Sequence, residues 1–511
     1  MMTSQRLLGA ADMPRPSAGA APDEVWRWFG GLAALLAVIL AARLMALYFN
    51  ATDLFFDEAQ YWSWSREWAF GYYSKPPLIA WLIGLSTAVC GIGEFCVRLS
   101  SPLVHTVTAL AVFLAANRLY GPRVGFWSGL VFSTLPGVSL SAGLISTDVP
   151  LLMFWAIALF AFVALLQERE AWWPALLLGI ALGLGLNAKY AMAYFVLATL
   201  VYVAATPEQR WIVRDRRWWL ALAIGLAMIV PNLLWNAQHR FATFAHTADN
   251  AKWGGALFHP HKALEFFGSQ FGVFGPILFG SLLVIVVRAY RQGLPPADRL
   301  LLSFALPMVV IVTMQAFLSR AHANWAAVSY VAATILVTAT LLREVAWRWL
   351  TASLALHIAI LIGFGVALTQ ARTLALPGGK NPFARTLGWS AFAEATRARL
   401  KAAREAGKPF GAVVALDRSI TAELLYYLRD AKVPVLAWPP RGRPKDHYQL
   451  TRPLKASSPG PYLLIAEGKM PAEALALFKA VTPPIVVEIA TGAGAKRRMN
   501  FARVSGFRGF G

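Results

Sequence analysis

Residues 31–64 read GLAALLAVILAARLMALYFNATDLFFDEAQYWSW, and the change of texture near Asn50 decides the fold. The first part is almost unbroken apolar sequence, long enough to cross a bilayer, which takes about 20 mostly apolar residues in a helix. The second part sets two adjacent carboxylates, Asp57 and Glu58, in front of a run of Tyr and Trp. Aromatic rings of this kind collect where hydrocarbon meets headgroups. The pair is therefore expected at the membrane surface, just beyond the first crossing.

The same apolar texture recurs along the chain. Of 511 residues, 58% are hydrophobic and only 14% charged, with a mean hydropathy of +0.53; a soluble domain is about a quarter charged. A water-soluble fold is excluded. Candidate crossings fall at about 30–49, 98–117, 124–143, 148–166, 172–187, 189–205, 218–236, 266–287, 299–318, 323–341 and 349–369, roughly eleven in all. Short loops with Arg118 and Arg123, then Arg210, Arg214, Arg216 and Arg217, then Arg288, Arg291 and Arg299, then Arg343 and Arg348 all fall on one side. Lys and Arg mark the cytoplasmic side. The N-terminus is then inside and, after an odd number of crossings, the chain beyond Gln370 is outside. In a bacterium this means the inner membrane, with the periplasm as the outer side. The formal net charge of +21, which in a soluble protein would suggest nucleic acid, belongs largely to those inner loops, so no nucleic-acid partner is expected.

The expected fold class is mainly α and polytopic, with interfacial helices and a small C-terminal α/β domain. Residues 1–29 form a loose cytoplasmic N-terminus, 30–370 the transmembrane catalytic region with a first outer loop at 50–97, and 371–511 a periplasmic α/β domain. The first apolar stretch is longer than a signal-peptide core and lacks a clear cleavage site, so it reads as a retained helix. Residues 76–92 are apolar but short and open with two prolines; they read as interfacial or re-entrant. In the tail, GAVVAL (411–416), VPVLAW (433–438) and PYLLIA (461–466) have strand character and alternate with helical stretches. The tail holds no phosphate loop, triad or zinc pattern. Cys90 and Cys96 are too few for a disulfide framework and match no metal-ligand pattern, so they receive no function. No internal repeat and no paired broken helices favour a transporter.

Asp57 and Glu58 lead the candidates for chemistry, the competing reading being a solvated loop charge. A second acid, Asp148 in STDVP (146–150), opens another span on the same outer face. A carboxylate in apolar surroundings is costly without a role or partner, although capping by Thr147 or Asp148 would also explain it. Cations share that side: Lys75 in GYYSKPPLI (71–79), Lys189 in NAKY (187–190), Arg320 and His322 in RAHANW (320–325), and His239, Arg240 and His246 after Trp235. They either neutralise nearby carboxylates or hold a phosphate ester, stabilising a leaving group that gains negative charge. Lys75, followed by two prolines, is the foremost phosphate candidate.

The order DE-x-x-Y-W, YYSKPP, STDVP, NAKY and RAHANW resembles the bacterial GT-C membrane glycosyltransferases related to protein O-mannosyltransferases and to the lipid A aminoarabinose transferase, glycosyltransferase family 39-like. The resemblance spans the membrane region, and LDRSITAELLYYL (416–428) also fits bacterial members. It implies a GT-C fold, a polyprenyl-phosphate-linked sugar as donor, an acceptor at the outer face and inversion at the anomeric carbon. By motif, Asp57 takes the proton from the acceptor hydroxyl, Glu58 assists or positions it, and Asp148 shapes the sugar pocket or orients the acceptor. Lys75 holds the donor phosphate, with Lys189 and Arg320 as further phosphate contacts; His322, His246 and Tyr73 are additional candidates. Ser74 stands where the aminoarabinose transferases have Glu, and Lys75 where protein O-mannosyltransferases have His. No cofactor is implied with certainty; a divalent metal stays open, and no metal ligand is assigned. The expected activity moves a hexosyl or pentosyl group to lipid A, lipopolysaccharide core or another envelope glycolipid. An exported protein is the alternative acceptor, and a non-catalytic transporter or lipid-binding scaffold is the alternative class.

Overall fold

The computed structural model describes residues 21–251 and 257–510. Most of the expected loose N-terminus thus lies outside the described residues. The first helix starts at Pro22 rather than near residue 30, with Asp23 and Glu24 in its first turn, where the exposed N–H groups favour negative charge. Six helices are long and apolar enough to cross a bilayer: Pro22–Tyr48, Glu94–Tyr120, Asp148–Gln167, Arg216–Gln238, Pro296–Leu318 and Trp347–Thr369. Each coincides with an expected crossing. This is a multi-pass membrane protein.

The other five expected crossings are shorter or broken. Trp173–Ala188, Tyr190–Ala205 and Ser329–Arg343 are apolar but short. The stretch 124–143 divides into Pro122–Thr134 and Pro136–Ser141, because a residue before proline is driven out of helical geometry and Leu135 is extended (φ −46°, ψ 138°). The stretch 266–287 is not one helix either. Pro260–Val273 and Pro276–Gln292 meet at a bend of 116°. Gly275, with φ +91°, makes the corner, and a Cβ there would run into the His357 imidazole.

The chain divides into two compact units. One comprises the chain up to Leu44, Ser101–Arg240 and Thr247–Phe364. Its centre is the helix Trp173–Ala188, which packs against both Asp148–Gln167 and Arg216–Gln238. Gly179 and Gly183 allow the close approach: a Cβ at either would strike Ile224 and the Ala221 carbonyl, or Met228. Small residues serve this purpose in membranes, where no hydrophobic effect draws helices together.

The second unit comprises Met45–Ser100, Phe241–His246 and the chain from Gly365. The first loop and the tail therefore share one folded body, a different division from the expected 30–370 and 371–511. Its sheet runs β2-β1-β3-β6-β4, with β5 also on β6; the strands are β1 Ala412–Ala415, β2 Val435–Ala437, β3 Tyr462–Glu467, β4 Phe478–Val481, β5 Ile485–Ala490 and β6 Lys496–Phe507. β1 is parallel to β2 and β3, whereas β6 is antiparallel to β3, β4 and β5. The three strand-like runs read from sequence are β1, β2 and β3. Helices Trp389–Glu405 and Arg418–Tyr427 cover one sheet face through Trp389, Phe392, Ile420 and Leu424.

Side chains of the first loop complete this body. Gly388, the N-cap of Trp389–Glu405, has no side chain to offer, and Asp53 supplies the cap: its carboxylate accepts from Trp389 N at 2.7 Å, Ser390 N at 3.3 Å and Ser390 Oγ at 2.7 Å. Leu54 N donates to Tyr427 Oη at 2.9 Å. The Trp62 ring meets Tyr426 edge-on at 4.9 Å.

Candidate active site

Asp57 and Glu58 open the helix Phe56–Ser65, and adjacent positions on a helix point about 100° apart. The two carboxylates accordingly have different surroundings. Glu58 is buried at 1% exposure. It accepts from the Phe55 backbone N at 2.9 Å and from Arg98 Nη2 at 2.7 Å. Arg98 also holds the Asp53 carbonyl at 2.7 Å and the Thr52 hydroxyl at 3.1 Å. This is a capping and bracing role. Asp57 keeps about a third of its side chain exposed and pairs with Arg418 Nη1 at 2.9 Å. The same Nη1 reaches Gln60 Oε1 at 2.9 Å. Burial pulls the Arg418 guanidinium down, but the charge of Asp57 and its hydrogen bond hold it above its ordinary value.

Lys75 lies in a rigid turn of the same unit. Tyr72 N donates to the Lys75 carbonyl at 3.1 Å. The Tyr72 ring stacks on Trp64 with centroids 4.7 Å apart and planes nearly parallel, and its hydroxyl donates to the Trp64 carbonyl at 2.9 Å. Tyr73 donates to the Pro444 carbonyl at 2.9 Å and meets His246 edge-on at 5.4 Å. Thr243 Oγ1 donates to the Tyr72 carbonyl at 2.8 Å. The prolines at 76 and 77 deny this turn helical continuity on its N-terminal side, and Lys75 sits half-buried at its corner.

A second cluster belongs to the other unit. Asp148, 8% exposed, accepts from Lys189 Nζ at 2.7 Å through one oxygen and from Asn324 Nδ2 at 2.6 Å through the other. Neither Thr147 nor Asp148 uses its side chain as a helix cap. Lys189 ends the tightly packed helix Trp173–Ala188 as its C-cap, which fixes the height at which Nζ meets Asp148. Next to it, Tyr190 Oη donates to Asn232 at 2.7 Å. Arg320 reaches Asn250 only at 3.5 Å, and its buried Nε has no hydrogen-bond partner among the described residues. His322 is exposed, edge-on to Trp325 at 5.3 Å. Mutual neutralisation, one of the two readings of these cations, describes the Lys189–Asp148 pair.

Residues 74–235 match the profile of the dolichyl-phosphate-mannose-protein mannosyltransferase family. The lipid A galacturonosyltransferase RgtD of Rhizobium johnstonii is 39% identical over 428 residues, 83% of this chain and 88% of that one. An undecaprenyl phosphate-alpha-4-amino-4-deoxy-L-arabinose arabinosyl transferase of Pseudomonas savastanoi pv. phaseolicola is 27% identical over 250 residues, 45% of this chain and 44% of that one. ArnT from Cupriavidus metallidurans, solved with undecaprenyl phosphate bound, superposes with a TM-score of 0.64 at 16% identity, covering 92% of this chain and 98% of that one. The chain belongs to the GT-C membrane glycosyltransferases.

The two candidate clusters, each within its own unit, include residues that the sequence reading missed. Arg98 and Asn324 carried no distinguishing pattern: Arg98 looked like the start of a span, and Asn324 lay unremarked inside RAHANW. Arg418 had a signal, since it stands in the LDRSITAELLYYL run whose resemblance was noted. Its meeting with Asp57, 361 residues earlier, is a product of tertiary structure. Glu423, one helical turn and a half further on, is fully buried with neither oxygen bonded among the described residues. Cys90 and Cys96 form a disulfide with Cα atoms 5.5 Å apart, although the sequence reading gave them no function; two cysteines make no framework, but six residues of separation is ample for a single bridge. Among the described residues no three His, Cys, Asp or Glu side chains come together to hold a metal, position 74 is Ser, and the nearest partner of Asp57 is a cation. This donor set does not fit a metal ion.

Proposed function

We propose that this glycosyltransferase moves one sugar from a polyprenyl-phosphate carrier to lipid A or lipopolysaccharide core at the periplasmic face of the bacterial inner membrane. The observation that carries this reading is the Asp57 carboxylate, accessible and fixed at the start of a helix in the first loop, in a chain similar to RgtD over 88% of that protein's length. Asp57 accepts the proton of the acceptor hydroxyl as its oxygen bonds to the anomeric carbon. The bond from that carbon to the phosphate oxygen breaks on the opposite side, with inversion. Charge then accumulates on the departing polyprenyl phosphate, where Lys75 supplies the compensating cation. Glu58, saturated by Arg98 and Phe55 N, positions the helix and takes no proton. Asp148, oriented by Lys189 and Asn324, shapes the sugar or acceptor pocket, and Arg320, with an unused buried Nε, is the further phosphate contact.

The Cys90–Cys96 disulfide supports the periplasmic assignment, because such bonds persist in oxidising compartments. The basic loops agree in sign.

Two measurements test the reading. Lipid A and core masses from wild-type and deletion cells should differ by one sugar residue; a change confined to exported glycoproteins would overturn the acceptor. Asp57→Asn should lower transfer by about a thousandfold or more, as expected for loss of a base acting at the transition state, while membrane insertion and melting temperature stay near wild type. Full activity in that variant would remove Asp57 from the chemistry.

A further inference from the structure

The Arg418 guanidinium is only half used. Its Nη1 serves both Asp57 and Gln60, whereas Nε and Nη2 donate to no partner among the described residues, and a third of the side chain is exposed. The free edge formed by Nε and Nη2 is the one that takes a carboxylate with two parallel hydrogen bonds. Gln60 is buried at 1% exposure, and the guanidinium lies 4.9 Å from the Phe56 ring centroid, so the fork is held from two directions. A second guanidinium, that of Arg385, lies 5.7 Å from the same ring. Two cations therefore face one accessible carboxylate around Phe56, while Glu58 is balanced separately by Arg98. Asp446 also lies within electrostatic range of Arg418, so it is the unused Nε–Nη2 edge, and not a charge surplus, that invites an anion.

That anion is not the leaving phosphate. In an inverting displacement the base and the attacking hydroxyl approach the anomeric carbon from the face opposite the leaving group. A cation bonded to the base therefore lies on the wrong side to meet departing phosphate, which the turn at Lys75 is left to hold. We propose that Arg418 determines donor specificity by binding the carboxylate of a uronic-acid sugar, with Nη1 kept on Asp57. This rests on the polyprenyl-phosphate reading of the site and narrows its sugar to a class, which agrees with the galacturonosyl group in the name of RgtD. The tail thus supplies the residue that reads the sugar, and the first loop supplies the base.

The test compares two donors on the purified full-length protein, polyprenyl-phosphate galacturonate and polyprenyl-phosphate galactose, which differ by a carboxylate against a hydroxymethyl group. For wild type, kcat/KM should favour the uronate by about a hundredfold, the scale of a hydrogen bond between charged partners at a partly exposed site. In Arg418→Gln that ratio should fall by about tenfold or more. Equal losses on both donors, with the ratio preserved, would overturn the proposal, because Arg418 would then serve Asp57, the donor phosphate or an anion on the acceptor. If the variant does not fold, wild type is assayed with the methyl ester of the uronate donor. Loss to the level of galactose supports the carboxylate contact, and full use of the ester overturns it. Failure of wild type to turn over either polyprenyl-phosphate donor would instead strike the underlying reading and take this proposal with it.

Discussion

Two neighbouring acids, Asp57 and Glu58, illustrate how little adjacency says about role. Both were legible as candidates, because acids beside a membrane span are rare. Their division of labour was not, since it depends on Arg98 and Arg418, which stand 40 and 361 residues away from their partners. The energetics separate them. Removing one partner of a buried ion pair costs about 3–5 kcal/mol, so Glu58→Gln should lower the melting temperature of the purified protein sharply and reduce its yield in membranes. The pair at Asp57 is partly exposed and contributes about 0–1 kcal/mol, so Asp57→Asn should melt near wild type; equal destabilisation by both substitutions would refute the distinction. Glu423 has a pH signature. Burial raises its carboxyl well above the usual range, the charges of Asp53 and Glu58 add to this, and Arg497 and Arg98 oppose it. The folded protein keeps a proton that an unfolded chain releases near pKa of about 4.3. Its contribution to stability is fully present below that value and is lost as pH rises toward the folded value. Glu423→Gln stays uncharged, so its melting temperature relative to wild type should climb between about pH 5 and about pH 8. A constant difference across that range would show that Glu423 does not titrate between the two states.

At the scale of elements, hydropathy located what depends on composition and lost what depends on single residues. Six long apolar helices lie where about 20 apolar residues were read. The expected span 266–287 is a bent helix pair, and hydropathy did not show the bend because it averages over Phe274 and Gly275, where one positive φ turns the chain through 116°. The strands β1, β2 and β3 were visible as short apolar runs. β5 and β6 were not, since β5 is largely exposed and β6 carries Lys496, Arg497 and Arg498 on its first turn into the sheet. The helix Leu78–Cys90 shows how a short element is secured. It has 13 residues, and the Cys90–Cys96 bridge fastens its end to Glu94–Arg98, the helix that carries Arg98 to Glu58. Closing so short a loop contributes about 2 kcal/mol on the chain-entropy relation. Replacing both cysteines by serine should lower stability by about that amount and loosen the brace on Glu58, read as a lower melting temperature. Unchanged melting would mean that the loop is already ordered without the bridge.

For the whole molecule, charge and oxidation state make a joint statement about orientation. Of 47 Lys and Arg, those in the loops at 118–123, 210–217, 288–299 and 343–348 are expected on one side when all eleven apolar stretches are counted as crossings, and part of this set is neutralised locally: Arg343 pairs with Asp298 at 2.6 Å, Arg217 with Asp215 at 2.7 Å and Arg288 with Glu344 at 2.5 Å. The rest faces the cytoplasm if the positive-inside rule governs insertion. The disulfide belongs to the unit that holds the tail, and structural disulfides are rare in a reducing cytosol. Both arguments favour the proposed placement of the tail outside, and they are independent, one resting on insertion and the other on redox chemistry. Since both native cysteines are bonded, a single introduced cysteine is the only free thiol in the protein. Ser457→Cys and Arg291→Cys are exposed positions on the two predicted sides. A membrane-impermeant maleimide applied to intact cells should label Ser457→Cys and leave Arg291→Cys unlabelled until the inner membrane is opened. The reverse pattern would turn the protein over in the membrane, place Asp57 on the nucleotide-rich side, and remove the reason for a lipid-linked donor.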